Sequence, residues 1–202
     1  MNKPRLVLVD GSSYLYRAFH ALPGLANSKG QPTGAIHGVV AMLKKLQSEY
    51  PADAFAVVFD PRGETHRDAW FPAYKANRPS MPDDLASQVA PLYEIIDALG
   101  MPRLVQDGTE ADDVIGTLAR RAARNGWDVV ISTGDKDLAQ LVEPAITLVN
   151  TMDNSVLDVA GVKAKFVYQP LPLVVRPGDT NDASSLDPGD LANKVADGTG
   201  GC

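Results

Sequence analysis

RLVLVDGSSYLYRAFHA, residues 5–21, decides how the rest of the chain reads. Arg5 to Val9 is an apolar run of strand length, Asp10 and Gly11 end it, and a helix-like segment from Ser12 to Ala21 follows. The arrangement recurs. Ala54 to Phe59 (AFAVVF) ends at Asp60 and Pro61, and Trp127 to Ser132 (WDVVIS) is followed by Thr133, Gly134 and Asp135. Arg103 to Val105 and Ala145 to Val149 are shorter strand candidates, and helix-like stretches cover Thr33–Glu49, Pro82–Leu99 and Glu110–Asn125. Strands alternating with helices predict an α/β domain whose sheet is mainly parallel, with the functional loops at the C-terminal strand ends. The strand-end aspartates then converge on one edge.

Composition and charge narrow the function. The 202 residues are 45% hydrophobic and 22% charged, as expected of a globular domain with at most a short appendage. No apolar stretch has the length of a membrane span, no secretory signal core follows Met1, and the one cysteine, Cys202, excludes a disulfide framework. The expectation is a cytosolic protein. The net charge of -6 argues against a surface that grips nucleic acid everywhere. Residues 61–82 run the other way, with Arg62, Arg67, Lys75 and Arg78 beside Trp70, Phe71 and Tyr74. That segment is also too long for an ordinary βα connection, and it carries Pro61, Pro72, Pro79 and Pro82.

Of the 25 acids, 20 are aspartate, and seven carboxylates sit in four short motifs: Asp10, Asp60, the Glu110-Ala111-Asp112-Asp113 run and Asp135 with Asp137. Taken singly, each motif also reads as a turn or a helix cap. Gathered together they repel: two carboxylates about 5 Å apart at an effective dielectric of about 20 cost roughly 3 kcal/mol. Either some are protonated or divalent cations neutralise them. Oxygen-only ligands, without cysteines or a histidine motif, suit Mg²⁺ or Mn²⁺ better than Zn²⁺. A pair of such ions is a recurring device for phosphodiester hydrolysis, and the basic, aromatic stretch suits a phosphate backbone and unpaired bases.

VDGSSYLYRAFHALP (9–23), FDPRGETHRDAWFPAYKANRPSMPDDL (59–85), GTEADDVIGTLA (108–119) and ISTGDKDLAQLV (131–142) closely resemble, in order, the 5′ to 3′ exonuclease domain of bacterial DNA polymerase I. The resemblance covers residues 1 to about 166. It implies a PIN-like, flap-endonuclease-like three-layer α/β fold and a nuclease that cuts 5′ flaps and ends during DNA replication and repair. By position it implies Asp10, Asp60, Glu110 and Asp112 around a first metal, Asp113 beside them, and Asp135 and Asp137 at a second. It further implies a helical arch at about 61–82 that passes a single strand. There Lys75 and Arg78 meet the scissile phosphate and Tyr74 stacks on DNA, with Arg67 and Arg17 as supporting phosphate contacts. The implied protein is a monomer, associated with the nucleoid and working beside a polymerase.

The resemblance stops at Phe166. Residues 167–202 hold five Asp, no Glu and no helical period, ending Gly198-Thr199-Gly200-Gly201, and read as a weakly ordered tail. The family's further metal-site aspartates and its helix-hairpin-helix have no counterpart there. This suggests a truncated or frame-shifted reading of a longer gene, an incomplete second metal site and impaired turnover. The alternative is an inactive fragment that binds one divalent metal and single-stranded DNA. A phosphotransferase using Asp10 as nucleophile wants a second aspartate where Ser12 stands, and no glycine fingerprint of a dinucleotide site follows Gly11.

Overall fold

Strands β1 (Arg5–Asp10) and β2 (Ala54–Phe59) are apolar along most of their length because both faces of the sheet are covered. The pleat sends Val7, Val9, Val57 and Phe59 into one core and Leu8, Ala56 and Val58 into another. A computed structural model of the chain describes residues 3–71 and 79–166, all within the first of its two units, Met1–Val167 and Tyr168–Cys202. With β3 (Arg103–Val105), β4 (Asp128–Ser132), β5 (Ile146–Asn150) and β6 (Ser155–Leu157), the sheet runs in the order β3-β2-β1-β4-β5-β6. The first five are mutually parallel and β6 pairs antiparallel with β5.

Helices α1 (Gly11–Ala21), α2 (Gly34–Glu49) and α4 (Asp83–Ala98) contribute the buried residues of the first core. On the opposite face α5 (Ala111–Arg124) and a 3₁₀ turn (Asp137–Leu141) close the second. Because β1 lies between β2 and β4, the order of strand addition reverses beside it, and such a reversal opens a crevice at the C-terminal strand ends. Asp10 therefore stands between the segments carrying Asp60 and Asp135. Gly11 permits the tight exit from β1, since a Cβ there would lie 2.6 Å from the Phe59 ring.

The expected strands and long helices are present, with boundaries shifted by a residue or two. Three further elements appear: α3 (His66–Trp70) within the long basic segment, β6, and α6 (Val159–Phe166). β6 is three residues long and α6 buries none of its residues, so neither carries a strong hydrophobic period. No helix among the described residues is long and apolar enough to cross a membrane.

Packing of α2 on α4 depends on one buried amide. Gln88 is 2% exposed. Its Oε1 accepts from the backbone N–H of Ala35 (2.8 Å) and Ile36 (3.3 Å), and its Nε2 donates to the Asp84 carbonyl (2.9 Å). Thr33 precedes α2 without making a side-chain cap, so Gln88 satisfies these helix-start amides from the neighbouring helix. Gln88→Leu keeps the volume and strands both donors, and is expected to cost about 1–3 kcal/mol. Urea denaturation checks this; an unshifted midpoint removes the cap from the account of stability.

Candidate active site

Asp10 ends β1 and caps α1. Its Oδ1 accepts from the Ser13 N–H at 2.9 Å, and its Oδ2 accepts from the Thr133 hydroxyl at 2.7 Å. It is 4% exposed. Burial raises its pKa above the usual aspartate value, the bonds from Ser13 and Thr133 oppose that rise, and the Asp60 and Asp135 charges add to it.

Asp60 reaches across to the helix that brings the next carboxylates. Its Oδ1 accepts from the Ala111 N–H at 2.8 Å, and its own N–H donates to the Ser12 hydroxyl at 2.9 Å. Glu110 precedes α5 without capping it through its side chain, so Asp60 supplies an anion to that N-terminus from another strand. Asp112 lies in the first turn of α5. Burial pushes its pKa up to about 6, assisted by the charges of Asp10, Asp135, Asp60 and Glu110.

Thr133 joins the third strand end to the first. While donating to Asp10, its hydroxyl accepts from the Asp135 N–H at 2.9 Å, and the Asp137 N–H donates to Asp135 Oδ1 at 2.9 Å. The Gly134 N–H donates to the Ser13 hydroxyl at 3.3 Å. Arg17 packs against this turn: a Cβ on Gly134 would lie 2.5 Å from its Nη1, while its Nη2 donates to Asn150 Oδ1 at 2.7 Å. Its Nη1 is buried without a hydrogen-bond partner. Tyr14 is fully buried, with its hydroxyl 2.6 Å from Ser132 Oγ; Tyr16, 40% exposed, lines the acidic cavity.

Two adjoining cavities result. One, of about 550 Å³, is lined by Asp10, Asp60, Glu110, Asp112 and Asp135 together with Arg17. The other, of about 570 Å³, shares Glu110, Asp112 and Asp135 and adds Asp113, Asp137 and Arg67. Arg67 is committed to acids: it donates to both oxygens of Asp113, and its Nε lies 3.6 Å from Glu110 Oε2. His66 stands 3.8 Å from Asp113 and 3.2 Å from the Gly108 carbonyl. All seven sequence-identified carboxylates therefore border one continuous acidic region.

The donor set fits a hard divalent cation. Every candidate ligand is a carboxylate oxygen, and Asp112, whose pKa is pushed up to about 6 by burial and by the charges of four neighbouring acids, marks a site short of positive charge. Among the described residues no three of these groups form a ready-made metal cage; an open arc of carboxylates suits a cation that keeps several waters. Tyr74, Lys75 and Arg78 lie outside the described residues, as do the tail at 167–202 and the middle of the expected arch. Sequence reading missed the hydroxyls of Ser12, Ser13 and Thr133. Their adjacency to Asp10 and Asp135 was the available signal.

A mainly parallel sheet with carboxylates collected at its C-terminal edge, covered by helices on both faces, is shared with solved 5′-exonucleases of phage T5 and is a PIN-like, flap-endonuclease-like fold. Within that class the chain belongs to the 5′-3′ exonuclease N-terminal, resolvase-like domain family, whose model matches residues 5–167. It is 64% identical over 170 residues to DNA polymerase I of Pseudomonas aeruginosa, covering 84% of this chain and 19% of that one. It is 43% identical over 160 residues to a 5′-3′ exonuclease of Buchnera aphidicola, covering 79% of this chain and 53% of that one. The chain thus spans about half or less of the length of these relatives. Among solved structures, a T5 protein co-crystallised with metal ions aligns with a TM-score of 0.66 at 17% identity, over 79% of this chain and 60% of that one. A bacteriophage T5 flap endonuclease in complex with DNA and metal ions aligns with a TM-score of 0.60 at 18% identity, over 79% and 60%.

Proposed function

We propose that this chain is a divalent-cation-dependent 5′ nuclease that hydrolyses phosphodiesters of DNA at 5′ ends and flaps, as in primer removal and repair. The observation that carries this is the acidic region at the sheet edge, with Asp112 raised to about 6 by burial and four neighbouring carboxylates. Asp10, Asp60, Glu110 and Asp112 would hold one cation, and Asp135 and Asp137 a second, magnesium or manganese by donor chemistry. Bound there, such cations lower the pKa of an attacking water and relieve charge on the phosphate. Thr133 holds Asp10 and the Asp135 turn in register, and Arg67 fixes Asp113 and Glu110. From their place in the basic motif, Lys75 and Arg78 would balance phosphate charge, Tyr74 would stack on the strand, and Arg17 would face the substrate.

In this reading residues 1–166 form the nuclease domain, with 61–82 as the arch and 167–202 outside it, and the protein acts as a cytosolic, nucleoid-associated monomer beside a polymerase. A second reading is a single-strand-binding module with one cation and negligible turnover. Incubation with end-labelled 5′-flap DNA, with Mg²⁺, Mn²⁺ or chelator, separates the two: cation-dependent cutting supports the nuclease, and binding without cutting supports the module.

Thr133→Val removes the donor to Asp10 and the acceptor for the Asp135 amide at a position 3% exposed. Flap cleavage at limiting Mg²⁺ is expected to fall roughly tenfold or more, since loss of groups that orient ligands has effects of that size. Thr133→Ser keeps the hydroxyl and should cleave like the parent. Loss in Thr133→Ser with Thr133→Val cleaving like the parent would show that the site needs the methyl group's packing rather than the bridge.

A further inference from the structure

β4 ends in Ser132, on the face whose neighbours Val130 and Val149 belong to the first core. Three hydroxyls meet in this apolar layer. Tyr14 and Ser132 are fully buried and Thr151 is 6% exposed. The Tyr14 hydroxyl lies 2.6 Å from Ser132 Oγ and 3.1 Å from Thr151 Oγ1, and Ser132 Oγ donates to the Val149 carbonyl at 3.4 Å. A buried hydroxyl without a partner is costly, so three of them together persist only as a connected set.

The carbonyl at one end fixes the direction of the set, because it can only accept. Ser132 gives its one proton to Val149 and therefore accepts from Tyr14, and Tyr14 in turn accepts from Thr151. Every proton in the series then has an acceptor. At the far end Lys45 of α2 steadies Thr151, its Nζ donating to the Thr151 carbonyl at 3.1 Å.

The near end lies behind the acidic region. The Val149 carbonyl also accepts from the Thr133 N–H at 3.1 Å, and the Thr133 hydroxyl holds Asp10 and the Asp135 amide. Tyr14 is four residues beyond Asp10, one turn or about 6 Å along α1. The start of α1 and the end of β4 are thus tied twice, by Thr133 on Asp10 and, one turn deeper, by Tyr14 on Ser132. These ties differ in kind. A cation drawn to Asp10 competes with the Thr133 hydroxyl for the same carboxylate, whereas the deeper bond joins two neutral groups shut off from water.

We infer that Tyr14 is a positioning residue for the proposed cation site: through Ser132 it sets the spacing between Asp10 and the turn carrying Asp135 and Asp137 before a cation arrives. The inference rests on the nuclease reading for its cation. It adds that a hydroxyl touching neither cation nor DNA governs cation affinity.

Tyr14→Phe keeps the ring and removes the bond. Ser132→Ala removes it from the other side and leaves the Tyr14 hydroxyl Thr151 to turn to, so the bond is cut in two independent folded backgrounds. Binding of Mn²⁺ without DNA, read from the paramagnetic resonance of the free ion, is expected to weaken about tenfold in each, the lower end of what losing groups behind metal ligands costs. The double variant should bind no more weakly than either single one, since both remove one bond. The Mg²⁺ concentration for half-maximal flap cleavage should rise by the same factor, with the rate at saturating Mg²⁺ within about twofold of the parent's, because a loss of binding alone leaves the saturated rate intact. Gln88→Leu, which perturbs the packing of α2 on α4, serves as a control for lowered stability and should keep the parent's Mn²⁺ affinity. Parent-like affinity in both Tyr14→Phe and Ser132→Ala, additive losses in the double variant, or an equal loss in Gln88→Leu overturns the positioning role and leaves the cation site standing. A parent that binds no Mn²⁺ overturns the two together.

Discussion

Asp10→Asn is expected to lower cation-supported flap cleavage by roughly a thousandfold, the several kcal/mol that a positioned Lewis acid contributes to phosphoryl chemistry, while leaving the melting temperature at pH 7 equal to the parent's or higher. The two halves have one cause. Asparagine matches aspartate in shape and caps a helix as well, so its Oδ1 can still accept from the Ser13 N–H. What disappears is a negative charge buried at 4% exposure, faced by Asp60 and Asp135, together with the acceptor of the Thr133 hydroxyl, whose rotor can turn to accept from the new amide. The folded state holds that charge at a cost, which is why the Asp10 carboxyl is raised, and a cation binding there depends on the same charge. Rates measured with and without chelator, beside circular-dichroism melting, check both halves. Cleavage within a fewfold of the parent would remove Asp10 from the metal site, and a marked fall in melting temperature would make its carboxylate a structural group.

The metal-free protein should lose stability as pH rises from about 4 to 6, opposite to the usual behaviour of a salt-bridged aspartate. The Asp112 carboxyl titrates near 6 when folded against a reference of 3.8, so between those values the folded state binds more protons than the unfolded one. Its stabilising protonation is present below about 4 and lost as pH passes through about 6. A shift of about two units sets an upper bound near 3 kcal/mol, and the partial exposure of Asp112 reduces this to about 1–2 kcal/mol. Divalent cations compete with those protons, so the stabilisation by Mg²⁺ should be larger at pH 7 than at pH 4.5. Urea unfolding of the parent and Asp112→Asn across this range, in chelator and in Mg²⁺, isolates the contribution of the one carboxyl. A parent-minus-variant difference that rises with pH in chelator would mean that the carboxylates are not crowded.

Much of the site was legible because its acids follow strand-length apolar runs. Asp10, Asp60 and Asp135 were readable as strand-end groups, and their convergence followed once the sheet was taken as parallel. Glu110, Asp112 and Asp113 were readable at a helix start, where acids favour the dipole. Arg67 was legible as a cation near the site but not as the partner of Asp113, 46 residues away. Asp60 was legible as a carboxylate but not as the cap of α5, a role that depends on β2 lying beside β1 and on where α5 begins.

The α/β alternation, both apolar faces of the strands and the identity of the acids are written in the order of the residues, because pleat and helix periods and strand-ending residues are local properties of the chain. Which groups meet comes from the folding of distant segments together: Thr133 on Asp10 across 123 residues, Ser12 against Asp60, Arg17 against the Gly134 turn, and Trp70 left in water beside anchored His66. These depend on strand order and on where each connection crosses the sheet edge. Local hydrophobic pattern is indifferent to both, since a strand buried on two faces has the same composition whichever neighbours it takes.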